Sequence, residues 1–212
     1  YAHIEPWIFR NGGSLLNENR TRLSPDFRAI EAMRFVTDMV NLHQVAPKPQ
    51  DMEGIRQQDV FPMGMAAMWV DGSWNIANVR KITKDKFRWG ISQVPKGPNA
   101  TTSSAKGYAW ADMLAVSPNT EHADLAWKFI MYMTGPGRTA KDFLGGKVPA
   151  HRPIAESNEW LERDLQPANK EIILEIGLSQ TTTSFTPKWS KWRGDAASRS
   201  GGMNGELDEV FN

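Results

Sequence analysis

Residues 61–74 read Phe61-Pro62-Met63-Gly64-Met65-Ala66-Ala67-Met68-Trp69-Val70-Asp71-Gly72-Ser73-Trp74. The apolar run at 66–70 is closed by Asp71 and Gly72, which is typical of a buried strand that ends in a turn. Ser73 is a residue type that caps helices, so a short helix that carries Trp74 is predicted to follow. This stretch therefore predicts a strand, a turn and a helix in immediate succession.

Strands and helices are predicted to alternate on both sides of this stretch. Upstream, Ser24 can cap a helix, Pro25 suits its first position, and Asp26 complements the helix dipole. The apolar spacing that follows extends this helix to about Gln44. The other predicted elements are strands over 87–94 and 108–116, a helix over 125–133, and short helices over 138–143, 156–165 and 169–178. Such alternation predicts an α/β layered fold.

The composition excludes several functional classes. The 212-residue chain has 25 Lys and Arg against 24 Asp and Glu, and this net charge of +1 gives no reason to expect a nucleic-acid or anionic-membrane partner. The chain contains no cysteine, which excludes disulfides, zinc–thiolate sites and cysteine nucleophiles. No apolar run approaches the roughly 18 to 20 residues that a membrane-spanning helix needs.

The sequence lacks the motifs of common catalytic and metal sites. Residues 145–148 lack the upstream glycine and the following Ser or Thr of a phosphate-binding loop, and residues 12–14 lack the frame of a nucleophile elbow. The neighbouring carboxylates Asp51 and Glu53 are interpreted as exposed charge. The histidines lack metal-ligand spacing: His3, His43, His122 and His151. We therefore predict no catalytic residue, no metal and no cofactor.

The chain contains nine tryptophans, several times the number expected for its length. Three lie in apolar runs and are predicted to point into the core: Trp69, Trp89 and Trp127. Four lie beside turns or polar loops, where ligand contact and core packing are equally open: Trp7, Trp74, Trp189 and Trp192. An aromatic ring on a loop beside polar groups suits stacking on the C–H face of a sugar.

The spacing of Phe61, Gly64, Ala66-Ala67-Met68, Gly72 and Trp74 is similar to an F-x-x-G-x-A-A-M-x-x-x-G-x-W signature. That signature is found in the extracellular solute-binding proteins of ABC importers, family 1, a group that includes maltodextrin- and glycerol-3-phosphate-binding proteins. Further stretches resemble the family in the same order: Val94-Pro95-x-Gly97-Pro98, Ser117-Pro118-Asn119, Ala126-Trp127-x-Phe129-Ile130 and Gly146-x-Val148-Pro149-Ala150-His151-Arg152. The resemblance spans nearly the whole chain.

The resemblance implies an α/β lobe of the periplasmic-binding-protein-like type II, with helices around a mixed sheet, plus a crossover segment of the other lobe. Residues 1–107 and 166–212 would form the second, C-terminal lobe, and residues 108–165 would belong to the first lobe. Family members are much longer, so most of the first lobe would be absent, and we interpret the chain as a fragment. Such a fragment is expected to self-associate, because the helix over 125–133 would lack its packing partner.

The resemblance also implies a function. The protein would be a non-enzymatic solute-binding protein that captures an oligosaccharide or polyol between two lobes by hinge closure and delivers it to ABC permease subunits. It would lie in the periplasm or outside the cell, with or without a lipid anchor, and would need no cofactor. The positions predicted by resemblance to bind the ligand are Trp7, Gly72, Ser73, Trp74, Gly107, Arg152, Trp189 and Trp192.

Three alternative functions stay open on the sequence. A phosphorylated polyol such as glycerol-3-phosphate would need at least one bidentate arginine. The basic residues near the cleft by resemblance are Arg10, Lys106, Arg152 and Arg193. A Trp-lined glycoside hydrolase would need two carboxylates roughly 5 to 9.5 Å apart. A binding lobe that serves as a sensor without a transporter is the third alternative. The many tryptophans and the scattered basic residues favour a neutral sugar.

Overall fold

The computed structural model describes residues 4–101, 104–109, 111–137, 146–178 and 180–181. The chain divides into two compact units. Unit 1 comprises Tyr1–Gln57, Gln93–Ala109 and Ser179–Asn212, and unit 2 comprises Gln58–Ser92 and Trp110–Leu178. The assignment of residues to two lobes stays a prediction. No helix in the described ranges is long and apolar enough to cross a membrane.

Unit 1 contains two α-helices and two short strands in its described part. Helix α1 spans Glu5–Arg10, and helix α2 spans Phe27–Asn41. Strand β1 (Gly107–Tyr108) pairs in parallel with strand β2 (Gln180–Thr181). Single turns of 3-10 helix occur at Pro49–Met52 and, across the boundary of the two units, at Gln57–Asp59.

Helix α2 confirms the helix predicted over 24–44, but it begins later than predicted. Its N-cap is Asp26, whose Oδ1 accepts a hydrogen bond from the Ala29 N–H at 2.8 Å. A carboxylate in this place satisfies a free N–H group and complements the helix dipole. Ser24 does not cap the helix, and its N–H instead donates to the Leu15 carbonyl at 2.9 Å.

The core of unit 1 forms where α1 packs against α2. Its buried apolar side chains are Ile4, Ile8, Phe9, Leu15, Ala29 and Ala32. The ring centroids of Phe9 and Tyr108 lie 5.8 Å apart. The Tyr108 hydroxyl also donates to the buried Glu5 carboxylate at 2.7 Å. Strand β1 is therefore attached to α1 by packing and by a hydrogen bond.

Unit 2 contains the remaining described helices. These are the 3-10 helix Ser73–Asn75, α3 (Ile76–Thr83), α4 (Ala123–Thr134), α5 (Arg152–Ala155), α6 (Asn158–Leu161) and α7 (Ile172–Leu178). Trp160 has no exposed surface and forms a core cluster with Leu161, against which Ile154, Ile173 and Leu174 pack. Trp160 is the largest fully buried side chain among the described residues, although no sequence pattern singles it out.

The helices predicted in unit 2 are confirmed with changed bounds. Helix α4 contains the helix predicted over 125–133. Helices α6 and α7 are shorter than the helices predicted over 156–165 and 169–178. Helix α6 ends because Glu162 takes the left-handed conformation, with φ +48°. The helix predicted over 138–143 lies outside the described residues.

The strand predicted over 87–94 is wrong, because side chains satisfy its main chain. The Gln166 Oε1 accepts a hydrogen bond from the Trp89 N–H at 2.6 Å. The Asn169 side chain accepts from the Ile91 N–H at 3.1 Å and donates to the Ile91 carbonyl at 2.7 Å. These side chains take the place of a neighbouring strand.

The other two strand predictions are wrong or too long, and both segments contain exposed apolar side chains. The run at 66–70 is not a buried strand, since Met68 is 87% exposed. The strand predicted over 108–116 is reduced to β1, which includes Tyr108, and Met113 beyond it is also 87% exposed. A short 3-10 helix that carries Trp74 is confirmed, but Ser73 does not cap it. Ser73 is its first residue, and its N-cap is Gly72, without a capping bond from a side chain.

Candidate ligand-binding site

The turn at residues 71–75 carries three of the predicted site residues and is closed by hydrogen bonds within itself. The Asp71 carboxylate accepts from the Gly72 N–H at 2.6 Å and from the Asn75 side-chain amide at 2.5 Å. The Asn75 N–H donates to the Gly72 carbonyl at 3.1 Å. These bonds fix the main chain both before and after Trp74.

Trp74 projects from this turn with 42% of its surface exposed. Its six-membered ring fills the space beside Gly72 in which a Cβ atom would otherwise lie, so any other residue at position 72 would overlap with the ring. Trp74 therefore rests against the main chain while much of its surface stays accessible. An accessible aromatic ring beside polar groups suits stacking on a sugar.

Gly146 approaches the same turn from a distant part of the sequence. Its φ of +103° favours glycine, and a Cβ atom there would overlap with the Ser73 carbonyl oxygen. The carbonyl of the next residue, Lys147, accepts a hydrogen bond from the buried Trp160 indole at 3.0 Å. The core of unit 2 therefore helps to hold residues 146–147 close to the turn.

An aromatic cluster in unit 2 is centred on Phe61. The Phe61 ring lies 6.5 Å from the Trp69 ring and 6.4 Å from the Trp89 ring, and its distance to the Phe87 ring is 5.7 Å. Trp69 and Trp89 are half-buried, which agrees with their predicted packing role. Trp127 is 58% exposed on α4, a helix without buried residues, so the prediction that it points into the core is wrong.

Two predicted site residues, Trp7 and Gly107, lie in unit 1. Trp7 on α1 is partly buried, and its ring centroid lies 5.4 Å from that of Phe35 on α2. Gly107 is buried in β1, opposite Gln180 of β2. Trp7 thus packs between the two helices of unit 1, and its contact with a ligand stays a prediction, as does that of Gly107.

The remaining predicted site residues are not brought to the Trp74 turn by any described contact. Arg152 lies on α5, where its side chain is 76% exposed and pairs with Glu156 at 2.7 Å. This pair is the expected i,i+4 contact of a helix surface. Trp189 and Trp192 lie outside the described residues.

The basic residues considered for phosphate binding have other surroundings. The Arg10 guanidinium donates to the Val94 carbonyl at 2.7 Å and to the Ala105 carbonyl at 3.3 Å. Lys106 is exposed in the same unit, and Arg193 lies outside the described residues. Arg10 therefore ties the segment around residues 94–105 to α1 and is not a free phosphate ligand.

Buried charges in unit 2 form a cluster that is paired internally. The Glu162 carboxylate accepts from Lys170 at 2.8 Å and from Arg80 at 2.7 Å. Burial raises the pKa of Glu162, but the hydrogen bonds from Lys170 and Arg80 outweigh it and hold the pKa below its usual value. Burial lowers the pKa of Lys170, and the bond to Glu162 opposes that shift. Within the described ranges, no group of His, Asp and Glu could hold a metal ion.

The sequence predicts Gly72, Ser73 and Trp74 as site residues but does not single out the residues that support them. Asp71 and Asn75 stand four positions apart around the turn, and this spacing is the signal that could have identified them. Gly146 gives no such signal, because its contact with Ser73 exists only after folding.

Comparison with known families decides which group the chain belongs to. The model of the bacterial extracellular solute-binding protein family matches residues 1–140. The chain belongs to this family. The match confirms the resemblance that the 61–74 signature indicates.

A solved structure shows the fold of this solute-binding family member. An ABC substrate-binding protein from Listeria monocytogenes, in complex with cycloalternan, is 23% identical to it with a TM-score of 0.77. The likeness covers 98% of this chain and 51% of that chain, so this chain spans about half the length of that relative. The predicted type II periplasmic-binding fold is thereby confirmed. No curated protein sequence matches the chain.

Proposed function

We propose that this chain is part of a non-enzymatic solute-binding protein that captures a carbohydrate for an ABC importer. Its membership of an extracellular solute-binding family supports this, as does the cycloalternan bound to the solved relative. The protein would act in the periplasm or at the outer cell surface, with or without a lipid anchor. Its partners would be the ligand and the permease subunits.

The chain would supply one wall of a ligand cleft between two lobes. Residues 1–107 and 166–212 would belong to the C-terminal lobe, and residues 108–165 would cross into the first lobe. That the chain spans about half of the solved relative supports this division, since most of the first lobe would then lie outside this sequence. Closure of the two lobes about a hinge would trap the ligand.

The structural observation that best supports the proposal is the position of Trp74. Its ring is 42% exposed, rests against Gly72 and lies on a turn closed by the Asp71 carboxylate. An aromatic ring in such a place offers its face to the apolar side of a sugar, while neighbouring polar groups bind hydroxyls.

A neutral saccharide fits the described residues better than a phosphorylated polyol. Arg10 donates to main-chain carbonyls, and Arg152 pairs with Glu156 on the surface. A phosphate would need a free bidentate arginine. Binding of a neutral sugar should therefore change little between low and high salt, whereas phosphate binding would weaken strongly.

Calorimetric titration of the full-length protein with neutral oligosaccharides and with glycerol-3-phosphate, at low and high salt, tests the proposal. We expect salt-insensitive binding of an oligosaccharide. Trp74→Ala should weaken it by about 1 to 3 kcal/mol, the scale of burying a large apolar side chain. Leu42→Ala removes an apolar side chain that is 68% exposed just after α2, and it should leave the affinity unchanged.

Two results would overturn the proposal. The first is salt-sensitive binding of glycerol-3-phosphate together with inert oligosaccharides. The second is the appearance of new reducing ends during incubation with oligosaccharides, which would identify a glycoside hydrolase. A loss of stability in Trp74→Ala with unchanged affinity would instead make Trp74 a packing residue.

A further inference from the structure

The Asp71 carboxylate is directed into its own turn. Its Oδ1 accepts the Gly72 N–H at 2.6 Å, and its Oδ2 accepts the Asn75 amide at 2.5 Å. Carboxylates are pure acceptors and primary amides offer two donors, so the pair Asp71 and Asn75 is chemically matched. The negative charge makes both bonds stronger than neutral ones.

Trp74 lies between the two residues that Asp71 binds. The bonds to Gly72 and Asn75 restrict the main chain on both sides of Trp74, and the contact with Gly72 restricts the ring itself. Gly146 adds a third restriction, because its main chain lies against the Ser73 carbonyl. A ring that is already restricted loses less conformational entropy when a ligand binds.

We infer that Asp71, Asn75 and Gly72 are positioning residues that hold the Trp74 ring in its ligand-binding orientation. This inference rests on the proposed function, in which Trp74 contacts the ligand. None of the three needs to touch the ligand for this role. Their substitution should therefore alter the surroundings of the Trp74 indole even when no ligand is present.

Three substitutions separate the parts of this arrangement. Asp71→Asn removes the charge and leaves one acceptor oxygen for the two N–H groups that Asp71 binds. Adding Asn75→Asp exchanges the partners and restores a donor–acceptor pair. Gly72→Ala leaves those bonds in place but introduces a Cβ atom that overlaps with the Trp74 ring. Asp85→Asn and Gly137→Ala are controls, since Asp85 is exposed and a Cβ atom at Gly137 meets nothing within 4 Å.

Fluorine NMR of the 5-fluorotryptophan-labelled chain measures a chemical shift that responds to the surroundings of each indole. Trp74→Phe identifies the Trp74 resonance among the nine, because that resonance disappears. We expect Asp71→Asn and Gly72→Ala to shift it, and the exchanged pair at positions 71 and 75 to return it toward the wild-type position. The two controls should leave it unmoved, and circular dichroism checks that every variant is folded.

Titration of the full-length protein with the neutral oligosaccharide that binds in the calorimetry described above gives the second measurement. Asp71→Asn should weaken binding roughly tenfold, the effect expected for about one lost hydrogen bond to a charged group. The exchanged pair should recover most of this loss. In a Trp74→Ala background, Asp71→Asn should weaken binding no further, because a positioning residue acts through the ring.

The outcomes distinguish this inference from the proposed function. A Trp74 resonance that stays in place in both Asp71→Asn and Gly72→Ala overturns the inference, whatever the titrations give. An equal loss from Asp71→Asn with and without Trp74 also overturns it, because Asp71 would then contact the ligand itself. Failure of the proposed function gives a different pattern, in which the wild type binds no saccharide although the resonance still shifts.

Discussion

Lys170 has no exposed surface although its side chain is ionisable. Its Nζ donates to the Trp160 carbonyl at 2.5 Å and to the Glu162 carboxylate at 2.8 Å, and it lies 4.2 Å from the centre of the Trp160 ring. Arg80 binds the same carboxylate and also donates to the Gln166 carbonyl at 2.5 Å. This cluster therefore joins α3 to the segment between α6 and α7.

Glu162→Gln should lower the free energy of unfolding by about 3 kcal/mol, because Lys170 would stay buried without its carboxylate. Equilibrium denaturation in urea measures the change. Glu156→Gln is the matched control, since it breaks the exposed pair with Arg152 and should cost less than about 0.5 kcal/mol. Equal effects of the two substitutions would show that the buried cluster does not stabilise unit 2.

The contribution of Glu162 should also depend on pH. Burial raises the pKa of Glu162, but the bonds from Lys170 and Arg80 lower it by more, so the folded value lies below the unfolded one. The stabilisation is therefore complete above the unfolded value of about 4.3 and is lost as the pH falls through the folded value. The difference in unfolding free energy between wild type and Glu162→Gln should shrink below about pH 4. A difference that stays constant from pH 7 to pH 3 contradicts this assignment.

Individual residues were predictable where their role is local. Trp74 and Gly72 belong to a contiguous motif, and the start of α2 was predicted within a few residues, although the cap is Asp26 and not Ser24 as predicted. The roles of Trp160 and Lys170 depend on partners such as the Lys147 carbonyl and Glu162, which only the folded chain brings together. Periodicity along the sequence carries no information on such contacts.

Among the elements, residues 87–94 show how side chains can replace a strand. Asn169 forms two hydrogen bonds with the main chain of Ile91, one as acceptor and one as donor, and Gln166 binds the Trp89 N–H. The strand predicted over 87–94 would also have needed hydrogen-bond partners for its main chain. The sequence pattern cannot show that the partners are amide side chains from the segment before α7.

Asn169→Ala should lower the free energy of unfolding by about 1 to 3 kcal/mol, because the Ile91 N–H and carbonyl would lose their partner. Asn119→Ala is the control, since Asn119 is exposed and its substitution should change stability by less than about 0.5 kcal/mol. Thermal and urea unfolding of both variants gives the comparison. Hydrogen exchange adds a local reading, in which the Ile91 amide should exchange faster in Asn169→Ala. Unchanged exchange at Ile91 would speak against the pairing.

Helix predictions succeeded more often than strand predictions for a physical reason. The hydrogen bonds of α2 and α4 lie within the helix, so capping residues and apolar spacing determine them locally. A strand needs a partner elsewhere in the chain, and the described strands β1 and β2 pair across a long separation in sequence. The family resemblance identified the type II fold, whereas the individual strand predictions were wrong or too long.

At the scale of the whole molecule, α4 presents exposed apolar side chains. None of its residues is buried, and Leu125, Phe129 and Tyr132 are 67%, 58% and 69% exposed. Together with neighbours they line an open groove of about 630 Å³. Exposed apolar surfaces of this kind promote association between molecules. The proposed division into lobes would explain why α4 is exposed in this chain, because α4 would pack on the first lobe in a longer protein.

The 212-residue chain on its own should therefore form dimers or larger species through α4. Light scattering coupled to size-exclusion chromatography over a range of concentrations measures this directly. The double variant Leu125→Lys/Phe129→Lys places two charges on the helix surface and should be monomeric where the wild type associates. Met68→Lys is the control, because Met68 is 87% exposed but lies outside α4, and this variant should associate like the wild type. A wild-type chain that stays a compact monomer at the highest concentration would show that the α4 surface is stable when exposed to water. The first-lobe packing proposed for residues 108–165 would then lose its support.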